Sequence, residues 1–141
     1  CRDALLKAEE QARSAKLGLW RDPYYGVLAV DDRAGFAERS GTVIVAEGCL
    51  AAVQPGLYRT TRRFAAPAPD PRGRDSFGGH MLVATIVPRA MKSFGAQHMD
   101  FSALVGRRLR FRGLLDQRFG PRIELQSPDQ VEVLDAPASQ N

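Results

Sequence analysis

The sequence predicts a mainly β protein: a five-stranded barrel with a helical segment between its third and fourth strands, preceded by an N-terminal α-helix. Three observations support this fold class. Residues 106–125 alternate apolar and polar side chains on either side of a turn, which is typical of a β-hairpin. Residues 40–105 supply three β-rich runs followed by a helical stretch. Residues 3–17 repeat apolar side chains at the three- and four-residue spacing of a helix.

Composition and charge indicate a globular domain with a basic segment. The 141 residues are 44% apolar and 26% charged. No apolar run approaches the ~20 residues that a membrane helix needs, so no membrane partner is predicted. Residues 107–122 carry six arginines and one acid, whereas residues 124–135 carry four acids and no base. Because the chain begins at Cys1 and not at Met, we expect it to be a piece of a longer protein.

The N-terminal helix carries a narrow row of small and apolar side chains. We call this row the apolar stripe; its members are Leu5, Ala8, Ala12 and Ala15. Gly18 is placed to end the helix in a left-handed cap, after which Leu19 and Trp20 leave as an apolar hook. A helix of this length is marginally stable alone in water. We therefore expect the stripe and the hook to be buried against the β-domain or a neighbouring chain.

The chain is predicted to have four parts: the helix with its hook (1–23), a docked connector (24–39), the β-barrel (40–135) and a frayed tail (136–141). Strands are predicted at 42–53 with a bulge at Gly48, at 57–64, at 80–87, at 106–116 with a bend or bulge at Gly113, and at 122–126. A helical segment occupies 88–105, and residues 130–134 continue the last strand. This order of elements is that of an oligonucleotide/oligosaccharide-binding (OB) barrel.

The hairpin has one apolar face and one basic face. Leu109, Phe111 and Leu115 share the first, and the arginines lie opposite. The basic face is either solvated or a groove for nucleic acid phosphates. In a groove, the phosphate contacts would come from Arg59, Arg62, Arg110, Arg112, Arg118 and Arg122, and bases would stack on Phe119 and Tyr58. If acids of the tail such as Glu124, Asp129 or Glu132 pair with these arginines, the face is neutralised and a structural role is favoured.

The sequence predicts no catalytic site, metal site or cofactor. His80 and His98 have no metal-ligand spacing to each other or to Cys49. Glycine-rich stretches lack the strand–turn–helix context of a phosphate loop. Cys1 and Cys49 pair in a disulfide only if the N-terminal helix packs beside Cys49. We therefore expect residues 1–141 alone not to hydrolyse DNA or RNA, with or without calcium.

Residues 5–23, LLKAEEQARSAKLGLWRDP, resemble the closing helix of the staphylococcal nuclease-like (thermonuclease) family. That helix carries a Glu-x-x-Ala-Arg/Lys pattern and ends in a small residue, an aliphatic residue and Trp. The matching residues are Glu9, Ala12, Arg13, Leu17, Gly18, Leu19 and Trp20. The resemblance covers the first 23 residues. It implies that the family's catalytic arginines, catalytic glutamate and calcium-binding carboxylates lie upstream of this chain.

The second part of the chain has a resemblance of its own. Residues 106–134 resemble OB-like domains that follow nuclease domains in some bacterial thermonuclease-family proteins. Those relatives tend to carry an aliphatic-Asn-Phe-Gly stretch after strand two. This chain has a proline-rich loop there, and its nearest approach is Ser76, Phe77 and Gly78.

Two functions of different class follow. The first is an accessory OB-like domain that assists an upstream nuclease domain by binding single-stranded nucleic acid. The alternative is a structural or protein-interaction module that braces that domain. The resemblance is compatible with a secreted or periplasmic protein, and the sequence predicts no oligomeric state.

Overall fold

The computed structural model describes residues 2–54, 60–65 and 82–134, and for residues 60–65 it describes the backbone alone. Three helices are present in these residues: α1 (Arg2–Ser14), α2 (Arg33–Glu38) and α3 (Pro88–Ala96). Seven strands accompany them: β1 (Leu28–Ala29), β2 (Val43–Gln54), β3 (Thr60–Ala65), β4 (Val83–Ile86), β5 (Arg108–Asp116), β6 (Arg122–Leu125) and β7 (Val131–Val133). Short 3-10 turns occupy Gly18–Arg21, Pro23–Tyr25, Phe101–Leu104 and Pro128–Gln130. The architecture is therefore mainly β with helices, as the sequence predicts.

The strands belong to one sheet built around the long strand β2. The first half of β2 pairs antiparallel with β5, and its second half pairs antiparallel with β3. β3 pairs antiparallel with β4, β4 pairs parallel with β6, and β6 pairs antiparallel with β5. The pairings thus run in succession through β2, β3, β4, β6 and β5 and return to β2. β1 adds in parallel to β2, and β7 adds antiparallel to β5.

One buried apolar cluster lies inside this arrangement. On β5 the predicted alternation is confirmed, because Leu109, Phe111 and Leu115 are fully buried while Arg110, Arg112 and Leu114 face outward. The other strands, α3 and the segments next to them add Ile44, Ala46, Leu50, Leu82, Ala84, Ile86, Ala90, Phe94, Phe101, Ile123, Leu125 and Val131. Removal of such side chains from water is the main contribution that stabilises the fold, at ~25 cal/mol per Å² of apolar surface.

The connector between the helix and β2 contributes to the same cluster. Leu28, Val30 and Phe36 are buried in it. Arg39, which follows α2, is only 8% exposed. Its guanidinium donates to the carbonyl oxygens of Tyr24 (2.7 Å), Gly35 (3.1 Å) and Pro23 (3.4 Å). A buried cation thereby holds the turn at Pro23–Tyr25 against α2.

Two glycines do not form the predicted bulges. Gly113 pairs regularly with Ile44, and the register shift of β2 lies between Leu50 and Ala52, away from Gly48. A Cβ built on Gly48 would lie 2.4 Å from a methyl group of Val30. These glycines are explained by close packing, because each leaves room for a neighbouring side chain.

The helical segments also differ in detail from the expectation. α1 ends before Gly18: Lys16 takes the left-handed conformation (φ 51°), and the N–H of Leu17 donates to the Ala12 carbonyl at 2.8 Å. This is the hydrogen-bond pattern of a Schellman cap. α3 runs through Gly95 to Ala96 without a break.

The C-terminal strand also takes a different place. β7 pairs with β5 and does not extend β6. Val131 is buried, whereas Val133 is exposed.

Several expectations lie outside the described residues. They concern Tyr58, Arg59, the 76–78 stretch, His80, residues 135–141 and any pairing of Cys1 with Cys49. Among the helices that the structure does describe, none is long and apolar enough to cross a membrane.

Candidate nucleic-acid interface

Three arginines project from the outward side of β5. They are Arg108, Arg110 and Arg112, which we call the arginine row. Alternate residues of a strand are separated by ~7 Å, so the three Cα positions are evenly spaced along the face. The buried Leu109 and Phe111 between them fix this direction, because successive side chains of a strand point to opposite sides.

Acids on the two neighbouring strands pair with the arginine row. Glu47 of β2 lies opposite Arg110 in register, and its carboxylate accepts from Arg110 Nε at 2.6 Å and from Arg108 Nη2 at 2.8 Å. Glu132 of β7 accepts from Arg112 Nη2 at 2.5 Å and lies 3.8 Å from Arg110 Nη1. The sequence left open whether acids of the tail neutralise these arginines, and Glu132 does so.

Helix α1 supplies the remaining acids. Glu10 accepts from Arg110 Nη1 at 2.7 Å, and Glu9 pairs with Arg112 Nη1. Arg13 of the same helix pairs with Glu9 at 3.0 Å and also with Glu10. Adjacent glutamates of α1 therefore lie over alternate arginines of β5.

The N-terminal end of α1 is attached by Arg2. This side chain lies 3.1 Å from Asp129 and donates to Gln97 Oε1 at 3.0 Å. It also donates to the main-chain oxygens of Pro128 and Val131, each at 3.1 Å. The contacts of α1 with the β-domain are thus polar at both ends of the helix.

Eight of these residues form one ion-pair network with no net charge. Its cations are Arg13, Arg108, Arg110 and Arg112, and its anions are Glu9, Glu10, Glu47 and Glu132. Arg2 and Asp129 form a separate ion pair. Hydrogen bonds from Arg13 and then Arg110 hold the pKa of Glu10 below its usual value. Burial alone would lower the pKa of Arg110, but hydrogen bonds to Glu47 and Glu10 outweigh it and raise that pKa.

The orientation of α1 contradicts most of the sequence-based expectation. Leu5 is 69% exposed, Leu19 is 65% exposed, and Ala8 and Ala15 are also exposed. Of the residues expected to be buried, Ala12 and Trp20 are half-buried, and the other half-buried residues of α1 are Arg2, Leu6, Glu9 and Arg13. The reason is the surface on which α1 lies: a row of guanidinium groups is better satisfied by carboxylates than by alanine and leucine.

A second group of predicted residues lies at the turn between β5 and β6. Phe119 is 82% exposed, and the guanidinium carbon of Arg122 lies 6.0 Å from its ring centroid. Arg118 folds back onto Asp116 with contacts of 2.8 and 3.1 Å. Hydrogen bonds from Arg118 lower the pKa of Asp116 to about 2. A cavity of about 460 Å³ adjoins the turn, and Leu114 is among its lining residues.

The structure brings some predicted residues together and separates others. Arg118, Phe119 and Arg122 cluster at the turn, whereas Arg110 and Arg112 lie beneath α1. The distance along β5 from Arg112 to Asp116, where the turn begins, is about 13 Å. The backbone of Arg62 lies in β3 opposite Ala84. Its side chain, like all of Arg59 and Tyr58, lies outside what the structure describes.

Sequence reasoning named Glu132 as a possible partner of the arginine row but missed the other acids. Glu9 and Arg13 have the four-residue spacing of a helical ion pair, which is a visible signal of a charged helix face. Glu47 is the one charged residue in the strand Val43–Gln54, which is the signal that could have marked it. Among the described residues, no group of three or more His, Cys, Asp or Glu could hold a metal ion.

Comparisons with known proteins do not assign the chain to a family. No family model matches it, and no curated protein matches it. Similar solved structures include OBody AM1L10 bound to hen egg-white lysozyme, at 15% identity over 70% of this chain and 85% of that chain, with a TM-score of 0.46. The S. pombe Stn1–Ten1 complex is 18% identical over 67% of this chain, which spans 60% of that chain, with a TM-score of 0.45.

A third similar structure is described as a "putative nucleic acid-binding lipoprotein" from Klebsiella pneumoniae. It is 11% identical over 72% of this chain and 77% of that chain, with a TM-score of 0.41. At these identities and TM-scores the likeness carries no inference about function.

Proposed function

We propose that this chain is a structural module that braces a preceding nuclease-like domain, and that α1 is the element that joins the two. In this proposal β2, β3, β4, β6 and β5 form an OB-type barrel. The succession of their pairings, with α3 between β4 and β5, supports that assignment. The observation that carries the function is the orientation of α1.

α1 contacts the β-domain through its charged side and not through its apolar side. A helix on a globular protein normally turns its apolar side to the core and its charged side to water. Here the charged side lies on the β-domain, and Leu5, Ala8 and Ala15 of the apolar stripe are exposed to solvent. An exposed row of this kind fits a second apolar surface. The resemblance of residues 5–23 to a closing helix supports an upstream nuclease domain as that surface.

The neutralised arginine row favours this role over a phosphate groove on β5. Arg110 and Arg112 each pair with an acid of the β-domain and an acid of α1. A surface whose cations are already paired has little field left to attract phosphates. The groove hypothesis needs these two side chains free.

The test uses the longer protein that contains the preceding domain. Leu5→Glu should lower the free energy of unfolding of that protein by about 2 kcal/mol, since burial of a leucine side chain contributes about 1.5–3 kcal/mol. Gln11→Glu is the matched control, because it adds the same charge at an exposed position of α1 outside the stripe; it should change stability by less than about 0.5 kcal/mol. Equal effects of the two substitutions would contradict the proposal.

A second candidate function rests on Phe119. A fully projecting aromatic ring with an arginine beside it is a platform on which a base of single-stranded nucleic acid can stack. Phe119→Ala should weaken the binding of an oligonucleotide by about 1–3 kcal/mol without changing its salt dependence. Leu114→Ala removes another exposed apolar side chain beside the same cavity and should have no such effect. Binding that is indifferent to Phe119→Ala would exclude this candidate.

A further inference from the structure

The face of β5 beneath α1 presents a row of guanidinium donors to anions. Arg110 Nη1 is bound by Glu10 at 2.7 Å, and Arg112 Nη1 is bound by Glu9. We propose that α1 is a displaceable cover, and that Glu9 and Glu10 occupy the places of two phosphates in a polyanion-binding site on the arginine row. A chain of phosphates that binds this site competes with α1 for the same nitrogen atoms.

The cover is built to be removable. No residue of α1 is buried, and Leu5, Ala8 and Ala15 of its apolar stripe are exposed. Both ends of the helix are attached through ions and polar atoms, by Arg2 at one end and by Glu9 and Glu10 toward the other. Contacts between partly exposed ions weaken as salt or a competing anion is added. A 13-residue helix is also marginal alone, so its release is accompanied by loss of helix.

The site beneath the cover is already arranged for anions. Acids of the β-domain bind one side of each guanidinium: Glu47 takes Arg110 Nε, and Glu132 takes Arg112 Nη2. These contacts hold the groups in place while the Nη1 atoms point toward α1. Charged forks held in this way bind phosphate oxygens well.

Spacing and charge are consistent with a run of phosphates and not a single ion. The Cα atoms of the three arginines in the row lie at intervals of ~7 Å along β5. When α1 is displaced, these three cations face the two carboxylates Glu47 and Glu132, which leaves one net positive charge. The phosphates can belong to a nucleic acid or to inorganic polyphosphate, because the row meets the phosphate groups alone.

The experiment compares two variants of the whole chain. Glu9→Gln/Glu10→Gln removes the two covering charges while keeping the side-chain size. Asp3→Asn/Asp31→Asn removes two exposed acids that lie outside the ion-pair network and so controls for net charge. The probes are inorganic polyphosphate of about 15 phosphates and a dT oligonucleotide of about 15 nucleotides, both at about 50 mM salt.

The proposal expects Glu9→Gln/Glu10→Gln to bind polyphosphate at least about fivefold more tightly than the control variant, because two competing carboxylates are gone. Adding Arg112→Gln to that variant should remove the gain. Affinity no higher than that of the control, no measurable binding, or a gain that survives Arg112→Gln would each overturn the proposal. The dT arm shows whether nucleic acid shares the site.

The outcome is separable from the proposed functions. Phe119→Ala reports on base stacking at the turn and leaves polyphosphate binding unchanged. Leu5→Glu reports on Leu5, an exposed member of the apolar stripe that takes no part in the ion-pair network. If either of these two tests fails, the comparison of Glu9→Gln/Glu10→Gln with Asp3→Asn/Asp31→Asn still decides the present proposal.

Discussion

At the scale of single residues, Gly113 shows how closely β5 packs against its surroundings. A Cβ at this position would lie 2.6 Å from a methyl group of the buried Ile123 and 3.1 Å from Gln130 Nε2. Gln130 has little freedom to move, because that nitrogen donates to the carbonyl oxygens of Arg112 at 3.0 Å and Glu124 at 3.3 Å. The glycine therefore allows the Gln130 side chain to tie β5 to the segment after β6.

Gly113→Ala should lower the free energy of unfolding by about 1–3 kcal/mol, the usual cost of adding a methyl group to a filled interior. Gly95→Ala is the control, since a Cβ on Gly95 meets nothing within 4 Å and lies in α3. That substitution should stabilise the chain by about 0.4–1 kcal/mol. Urea unfolding monitored by circular dichroism measures both, and a Gly113→Ala variant as stable as the parent would contradict the packing argument.

The sequence pattern showed that Gly113 is unusual within its strand, but it did not show why glycine is needed there. Gly113 interrupts an apolar row, and a bend is the ordinary explanation for glycine in a strand. The actual reason is the approach of Ile123 and Gln130, which come from elsewhere in the chain. Periodicity describes a residue's own strand and carries no information about side chains that arrive from other elements.

At the scale of elements, α1 shows the same limit more strongly. The three- and four-residue spacing predicted a helix, and a helix is present at Arg2–Ser14. The spacing also showed that Leu5, Ala8, Ala12 and Ala15 share a side. It could not show which side meets the β-domain, because that depends on the arginine row and on Glu47 and Glu132 beneath it.

The attachment of α1 should depend on pH with a defined sign. The pKa of Glu10 is lowered below 4.5 by hydrogen bonds from Arg13 and Arg110. A group with a depressed pKa contributes stability that is present above its unfolded-state pKa and is lost as pH falls through its folded-state value. Glu10 therefore helps to hold α1 at neutral pH, and this contribution declines as pH falls from about 4.5 through its lower folded-state pKa.

The emission of Trp20 measures this release. It is the single tryptophan of the chain, it follows α1, and the Arg13 guanidinium lies 5.3 Å from its ring centroid. Its emission should change as pH falls below about 4.5, before the β-domain unfolds. Glu10→Gln should already show the altered emission at neutral pH. A change that occurs only on raising the pH, or only together with global unfolding, would count against the ion-pair attachment.

At the scale of the whole molecule, the order of elements was predictable and several of their contacts were not. The three β-rich runs, the helical segment and the hairpin all appear in the predicted order. The short elements β1 and α2 were not predicted, because two to six residues carry too little periodicity. The place of β7 was also missed, since its partner β5 is distant in sequence and adjacent only in the folded chain.

The candidate site was likewise predictable in part. The sequence identified the exposed turn with Phe119 and the outward direction of Arg110 and Arg112. It named Glu132 among the acids that could pair with those arginines, but it did not identify Glu9, Glu10 and Glu47, because these lie more than sixty residues away along the chain. Charge pairing between distant segments is a tertiary property that a local pattern does not contain.

Oligonucleotide binding by the whole chain should accordingly show a weak salt dependence. Four free arginines would give a slope of log affinity against log salt near −3, at about −0.7 per phosphate contact on single strands. With Arg110 and Arg112 covered by α1, only Arg118 and Arg122 remain from that set, and the slope should be no steeper than about −1.4. A slope near −3 for the unmodified chain would show that the arginine row is free in solution.

The most direct test of the account is hydrogen exchange of the α1 amides at low and high salt, with the β5 amides as an internal reference. If the ion-pair network holds α1, raising the salt from about 50 mM to about 1 M should greatly reduce the protection of α1, because salt screens its contacts and the released helix is marginal. The protection of β5 should stay, since Leu109, Phe111 and Leu115 are buried. Protection of α1 that is unchanged at about 1 M salt would contradict the account, because contacts that salt does not screen would then hold the helix.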